Sequence, residues 1–193
     1  MTPMSDANER AARRRQGAAM KRTPRAVFLS GERGAGKTTI CLSLASENRL
    51  FSGIIEIPVM SAGEIVGITA RSLGDGEEWE LARTDRDLGG PRTQRFSFSR
   101  AALERTVRVI GESLARAGEI TVIDEVGPLE LEDGKGLAPV LPRLAAAGDL
   151  LLVVRPALVS ALKDLVPRHK LAVFTVTPAR RREVLERLRA FFA

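Results

Sequence analysis

The chain of 193 residues contains one cysteine (Cys41), one tryptophan and no tyrosine. A single cysteine excludes an internal disulfide framework and a cysteine-only zinc site, and fits a reducing cytoplasm. Following the glycine-rich loop described below, Cys41 reads as a small packed residue rather than a reactive thiol. No apolar run approaches the ~20 residues that a membrane span needs. The N-terminus has no apolar stretch of the length a secretory leader requires. The expectation is a cytoplasmic protein with no membrane contact. Internal repeats are absent, as is an Asn-Lys-x-Asp guanine reader, so nothing in the sequence selects one base.

Basic charge is also scarce where a binding face would need it. The net charge is +6, but seven of the 30 basic and only two of the 24 acidic residues lie within residues 1–25. That stretch therefore carries +5 and the remainder +1. Residues 1–24 read as a basic, disordered or partly helical tail, the one place where nucleic acid or an acidic partner could be met. The hydrophobic share of 44% and charged share of 28% suit a globular body, expected as one domain over residues 25–193.

The body is organised around Gly31-Glu32-Arg33-Gly34-Ala35-Gly36-Lys37-Thr38, which fits G-x-x-x-x-G-K-[ST]. An apolar strand at 25–30 precedes it and a helix over about 37–49 follows it. The glycines allow the chain to close around a polyphosphate, and the backbone N–H groups and helix N-terminus point at the anion. The candidate nucleotide-binding residues are Gly31, Glu32, Arg33, Gly34, Ala35, Gly36, Lys37, Thr38 and Thr39. Lys37 is placed to reach the β- and γ-phosphates, and the Thr38 hydroxyl to sit on Mg2+.

The second chemical stretch is Ile120-Thr121-Val122-Ile123-Asp124-Glu125. A buried-strand pattern that ends in a carboxylate at the loop's edge of a sheet supplies a further hold on the metal, so the metal set is Thr38 and Asp124. Glu125 is placed to orient and activate a water in line with the γ-phosphate. Arg155 ends the next core strand at the same edge, where ligands of open α/β sheets bind. The candidate catalytic residues are Lys37, Glu125 and Arg155. Arg180, Arg181 and Arg182 open the last helix and read as a solvated face, with one of them stacking near the base or the phosphates as the alternative.

The periodicities give strands at 53–60, 64–73 and 77–83, read as antiparallel hairpins inserted after the first βα unit. Trp79 is assigned to packing on that sheet. A polar loop spans 84–95, and a short strand 96–98. A helix capped by Ser99 runs to Ala115. Further helices are expected over 137–147, 157–165 and 178–191, and strands over 150–154 and 171–176. This alternation predicts an α/β fold with a mostly parallel sheet flanked by helices.

The loop Gly31–Thr39 (GERGAGKTT), the hairpin with Gly53 and Gly67, and above all Asp124–Leu131 (DEVGPLEL) resemble the nucleoside-triphosphatase family of the thermophile type, whose members carry DE-[IV]-G-x-[LM]-E-L. The resemblance covers about Arg25 to the C-terminus. It implies a RecA-like P-loop core, Mg2+ as cofactor, and slow hydrolysis of several NTPs to NDP and phosphate; the chain is expected to be a monomer. It carries phosphate and metal binding to Lys37 and Thr38, the metal to Asp124 and the water to Glu125. Glu130 matches a family position as well, with a hydrogen bond that orders the turn as its one assignable role. Many relatives have a Tyr-Thr pair and an arginine-bearing turn in the first hairpin. This chain has Ile55-Glu56 and Ala62-Gly63-Glu64 instead, so its base or substrate surface is expected to differ. Two other functions fit the same residues: a nucleotide-gated switch whose loop 84–95 changes order, and a kinase for a small acceptor. The absence of an obvious acceptor pocket and of a second glycine-rich lid ranks the kinase last.

Overall fold

The computed structural model describes residues 22–193. The basic tail expected over residues 1–24 falls, apart from its last three positions, outside the described residues. One nine-stranded sheet forms the frame. Its strands are β1 (Arg25–Ser30), β2 (Phe51–Ser61), β3 (Glu64–Ser72), β4 (Glu78–Arg83), β5 (Gly89–Arg92), β6 (Ser97–Ser99), β7 (Ile120–Val126), β8 (Asp149–Val154) and β9 (Lys170–Thr175). Their spatial order is β5-β6-β4-β3-β2-β7-β8-β1-β9. The β2, β7, β8, β1 and β9 pairings are parallel, and β3, β4, β6 and β5 add antiparallel strands beyond β2.

The inserted hairpins therefore extend the main sheet beyond β2. The first half of β2 pairs in parallel with β7, from Phe51↔Ile120 to Ile54↔Ile123. The same strand then continues antiparallel to β3. Gly53 makes this pairing possible: its φ is 100°, and a Cβ there would collide with the Val122 carbonyl.

Alternate residues of the central strands feed two cores. Phe28, Ile54, Ile123, Leu150 and Leu152 face one side, against Leu81 and the helix α2 (Arg100–Ala115) through Leu103 and Ile110. Val27, Leu29, Ile55, Val122, Leu151 and Val153 face the other, against α1 (Lys37–Glu47) and α5 (Arg181–Phe192). All six residues of β8 are buried, the state of a parallel strand covered on both faces. Ser99 caps α2 by accepting from the Ala102 N–H, as its position predicts. Trp79 packs toward this helix: its Nε1 donates to Thr106 Oγ1 at 3.1 Å, and Arg105 lies over the ring.

Three local expectations need correction. The helix expected over 137–147 is a 3₁₀ segment, Ala138–Ala146, with Pro142 inside it. Proline lacks the N–H and clashes with the preceding turn, which disfavours an α-helix here. The polar stretch 84–95 contains β5, which takes the outer edge of the sheet, where its Pro91 is tolerated. The expected helix over 157–165 is a 3₁₀ turn, Pro156–Leu158, followed by the short α4, Val159–Lys163. One helical turn, α3 (Pro128–Leu131), was not foreseen.

The start of β8 anchors the end of the chain. Asp149 is buried and accepts from the Arg25 N–H at 2.8 Å, Arg25 Nη2 at 2.8 Å and Arg22 Nη2 at 2.5 Å. Arg25 also reaches the Phe192 carbonyl at 3.1 Å, which ties α5 to β1. Burial pushes the Asp149 carboxyl up, but the Arg25 and Arg22 hydrogen bonds outweigh it and hold it below its ordinary value. A carboxylate depressed in the folded state contributes stability above its unfolded pKa and loses it as the pH falls. Asp149→Asn should therefore cost about 2–3 kcal/mol near pH 7, a fall in Tm of roughly 5–10 °C. The gap to wild type should be full above pH ~5 and narrow below pH ~4. Thermal melts of both proteins across that range check the sign, and a gap that widens in acid would contradict it.

Candidate nucleotide-binding site

The parallel strands bring the site together at one edge. β1 runs into the glycine loop, and β7 delivers Asp124 and Glu125 to the same edge with β8 between them. Gly31, Gly34 and Gly36 take φ values of 140°, 77° and 97°, all left-handed. At Gly31 a side chain would also strike the Val176 carbonyl. Gly36 is the N-cap of α1 and offers no side chain to the first turn, so that turn's N–H groups stay directed at the loop's concavity. Lys37 Nζ donates to the Gly31 carbonyl at 2.7 Å and the Glu32 carbonyl at 2.9 Å. Its ammonium is thus held across the loop's mouth.

Thr38 and Asp124 meet directly. Thr38 Oγ1 donates to Asp124 Oδ2 at 2.8 Å, and the same oxygen accepts from the Glu56 N–H at 3.2 Å. Asp124 is almost wholly buried. Burial pushes its carboxyl up to about 6, against the hydrogen bonds from Thr38 and Glu56. A hydroxyl and a carboxylate side by side are hard oxygen donors of the kind that divalent cations of the Mg2+ type accept. Two such donors do not enclose an ion, so phosphate oxygens and water would have to complete its shell.

Glu125 sits one residue on, where the β7–β8 register shifts. Its φ is 70°, a conformation that a non-glycine residue adopts at a cost. This backbone turns its side chain away from the core, and Arg155 meets it at the end of β8. Arg155 Nη2 and Nε both donate to Glu125 Oε1, at 2.5 and 3.1 Å. The two residues named separately as catalytic candidates therefore form one exposed ion pair.

Glu130 orders the turn after β7. Its Oε2 accepts from the Gly127 N–H at 3.0 Å and its Oε1 from the Leu137 N–H at 3.3 Å. Burial raises its carboxyl against those bonds. Cys41 is fully buried in the core under the loop, where desolvation first and Asp124 second raise its thiol.

Two contacts were not anticipated. Glu56, set in the apolar run Ile54-Ile55-Glu56-Ile57, stands beside Asp124, Glu125 and Glu130. Burial first, and then those three carboxylates, push its own carboxyl well up. An isolated acid inside an apolar strand was the available signal. Arg181, grouped with a solvated face, instead donates through Nε and Nη2 to the Ala35 carbonyl, both at 3.2 Å. Arg180 pairs with Glu183 at 2.8 and 2.9 Å and Arg182 is exposed, as expected of both.

A nine-stranded α/β sheet with a glycine-rich phosphate loop, an adjoining Thr–Asp pair and flanking helices defines a P-loop nucleotide-binding protein. The sequence model of the NTPase family matches residues 26–189, and the chain belongs to that family. A nucleoside-triphosphatase THEP1 of Methanopyrus kandleri is 29% identical over 174 residues, covering 86% of this chain and 93% of the relative. That of Pyrococcus abyssi is 30% identical, covering 81% and 86%. Among solved structures, THEP1 from Aquifex aeolicus superposes with a TM-score of 0.68 at 15% identity over 86% of this chain and 98% of its own. A human cancer-related nucleoside triphosphatase gives 0.65 at 24% identity over 86% and 96%. At those identities the two structures speak for the fold, which agrees with the α/β expectation. No helix among the described residues is long and apolar enough to cross a membrane.

Proposed function

We propose that the chain hydrolyses nucleoside triphosphates to the diphosphate and phosphate, with Mg2+ and without strong preference for the base. The observation that carries this reading is the Thr38–Asp124 contact at the mouth of the loop. It pre-aligns two oxygen donors beside the position a β- or γ-phosphate takes in such a loop. Thr38 and Asp124 would hold the metal, whose charge would offset the phosphate oxygens. Gly31 to Thr39 wrap the phosphates through backbone N–H groups, and Lys37 moves from the Gly31 and Glu32 carbonyls to the β- and γ-phosphates. Glu125 orients the attacking water and receives its proton. Arg155, already on Glu125, supplies positive charge toward the γ-phosphate. The protein works as a monomer in the cytoplasm, and any nucleic-acid contact is confined to the basic tail.

The test is phosphate release from ATP, GTP, CTP and UTP under multiple-turnover conditions, with Mg2+ and with excess chelator. Turnover of more than one base, lost with chelator and restored by Mg2+, is the expected result. Tight nucleotide binding without phosphate release would remove the hydrolase reading. It would favour a nucleotide-gated binding module, a reading that the closed Arg155–Glu125 pair supports, because the guanidinium already occupies the Glu125 oxygen that would meet the water.

A further inference from the structure

The segment after β9 is clipped to both ends of the phosphate loop. The Val176 N–H donates to the Ser30 carbonyl at 2.7 Å, and the Val176 carbonyl lies against Gly31. Five residues on, Arg181 closes over Gly36. Its Nε and Nη2 share the Ala35 carbonyl. Its Cζ and Nη2 lie 2.6 and 2.8 Å from the position a Cβ on Gly36 would take. The guanidinium therefore lies across the Gly36 α-carbon with one edge pinned, so its plane is fixed.

This placement is unusual for a half-exposed arginine. Its neighbour Arg180 has Glu183. Among the described residues Arg181 has neither a carboxylate nor an aromatic ring against it. A cation has thus been set against the backbone of the phosphate loop with no acid on it among the described residues. It stands at the outer lip of the loop, where the chain passes from the phosphate cradle into α1. A nucleotide whose triphosphate fills the cradle must carry its ribose and base out over that lip.

We propose that Arg181 is the floor of the nucleobase subsite, stacking its fixed guanidinium plane on the face of the base. This rests on the nucleotide-binding reading above and deepens it. A guanidinium is planar, weakly hydrated and stacks on π faces. Every base has such a face, so a platform of this kind binds purines and pyrimidines alike without reading their edges. It accounts for an absent guanine reader and an absent tyrosine in one stroke.

The experiment compares wild type, Arg181→Ala and Arg181→Lys in equilibrium binding of ATP, GTP, CTP, UTP and inorganic tripolyphosphate, with KM and kcat for each that is hydrolysed. Tripolyphosphate carries the same phosphates without a nucleoside. Arg181→Ala should weaken every nucleotide by about 5- to 100-fold, purines most, through KM rather than kcat. Tripolyphosphate should weaken no more than about 2-fold, the share of a nearby charge screened by solvent. Lysine keeps the charge and loses the plane, so Arg181→Lys should recover less than half of the loss. Equal weakening of nucleotides and tripolyphosphate would make Arg181 a brace of the loop and overturn the inference. So would unchanged nucleotide affinity in Arg181→Ala, or full rescue by lysine. In each of those cases wild type still binds nucleotide, so the inference falls alone. A wild type that binds neither nucleotide nor tripolyphosphate ends the nucleotide reading and the inference together.

Discussion

Lys37→Ala should abolish measurable turnover, with kcat/KM for ATP falling by about 10³-fold or more. Removing one preorganised group that stabilises charge developing in a transition state costs on the order of 10²–10³ in rate, and a full positive charge on a transferring phosphoryl group is worth at least the upper end. The geometry supports the large value. The Lys37 ammonium bridges the Gly31 and Glu32 carbonyls at 2.7 and 2.9 Å, so it lies inside the span of the loop rather than beside it. No other lysine belongs to the loop, and the Arg181 guanidinium is pinned to the Ala35 carbonyl on the outer lip. The variant also loses both of those loop contacts, so its folding must be shown separately. Each is a hydrogen bond to a partly exposed carbonyl, and the pair should be worth about 1–2 kcal/mol. A Tm within roughly 5 °C of wild type is then expected beside the lost activity. A variant that folds and keeps more than a tenth of wild-type kcat/KM would remove Lys37 from the mechanism.

The parts of this site that the sequence discloses are the local ones. Gly31 to Thr38 are contiguous, and three glycines at those spacings between a strand and a helix have one structural meaning. The end of β7 is equally local: an apolar run that stops at Asp124. What stays hidden depends on which strands become neighbours. Arg155 is 30 residues from Glu125, and only the adjacency of β7 and β8 makes them a pair. Glu56 reaches Asp124 because β2 pairs in parallel with β7 before turning to β3, a double role that the hairpin pattern of residues 53 to 73 conceals. For Arg181 the difficulty is angular. Three consecutive arginines at a helix start point about 100° apart, and helical periodicity cannot say which direction faces the loop. The 3₁₀ segment Ala138–Ala146 is the opposite case, since its cause is local: Pro142, which lacks the N–H an α-helix needs, stands inside it.

Glu125→Gln should lower kcat by about 10²–10⁴, the usual share of a positioned general base, while nucleotide affinity stays within a few-fold of wild type. That loss corresponds to roughly 3–5 kcal/mol on the barrier. The amide has the same shape, so the change removes basicity with little alteration of packing. It also leaves the backbone problem untouched: at φ 70° glutamine is as disfavoured as glutamate, so no strain is released to disturb the loop. Its carbonyl oxygen can still accept from Arg155, which keeps the pair's geometry but not its attraction. One negative charge fewer beside the γ-phosphate works slightly in favour of binding, so the variant should hold nucleotide at least as well as wild type. Single-turnover and steady-state phosphate release, with binding measured on the same preparation, separate the two quantities. Loss of binding in proportion to rate would make Glu125 a positioning group for nucleotide rather than for water. Retention of kcat within about three-fold would move the base elsewhere, and Glu56 is then the next carboxylate to replace. Its carboxyl feels Glu125 most after burial, and then Asp124 and Glu130, and neither of those two is free to serve. Asp124 is taken by Thr38, and Glu130 is spent on the Gly127 and Leu137 N–H groups.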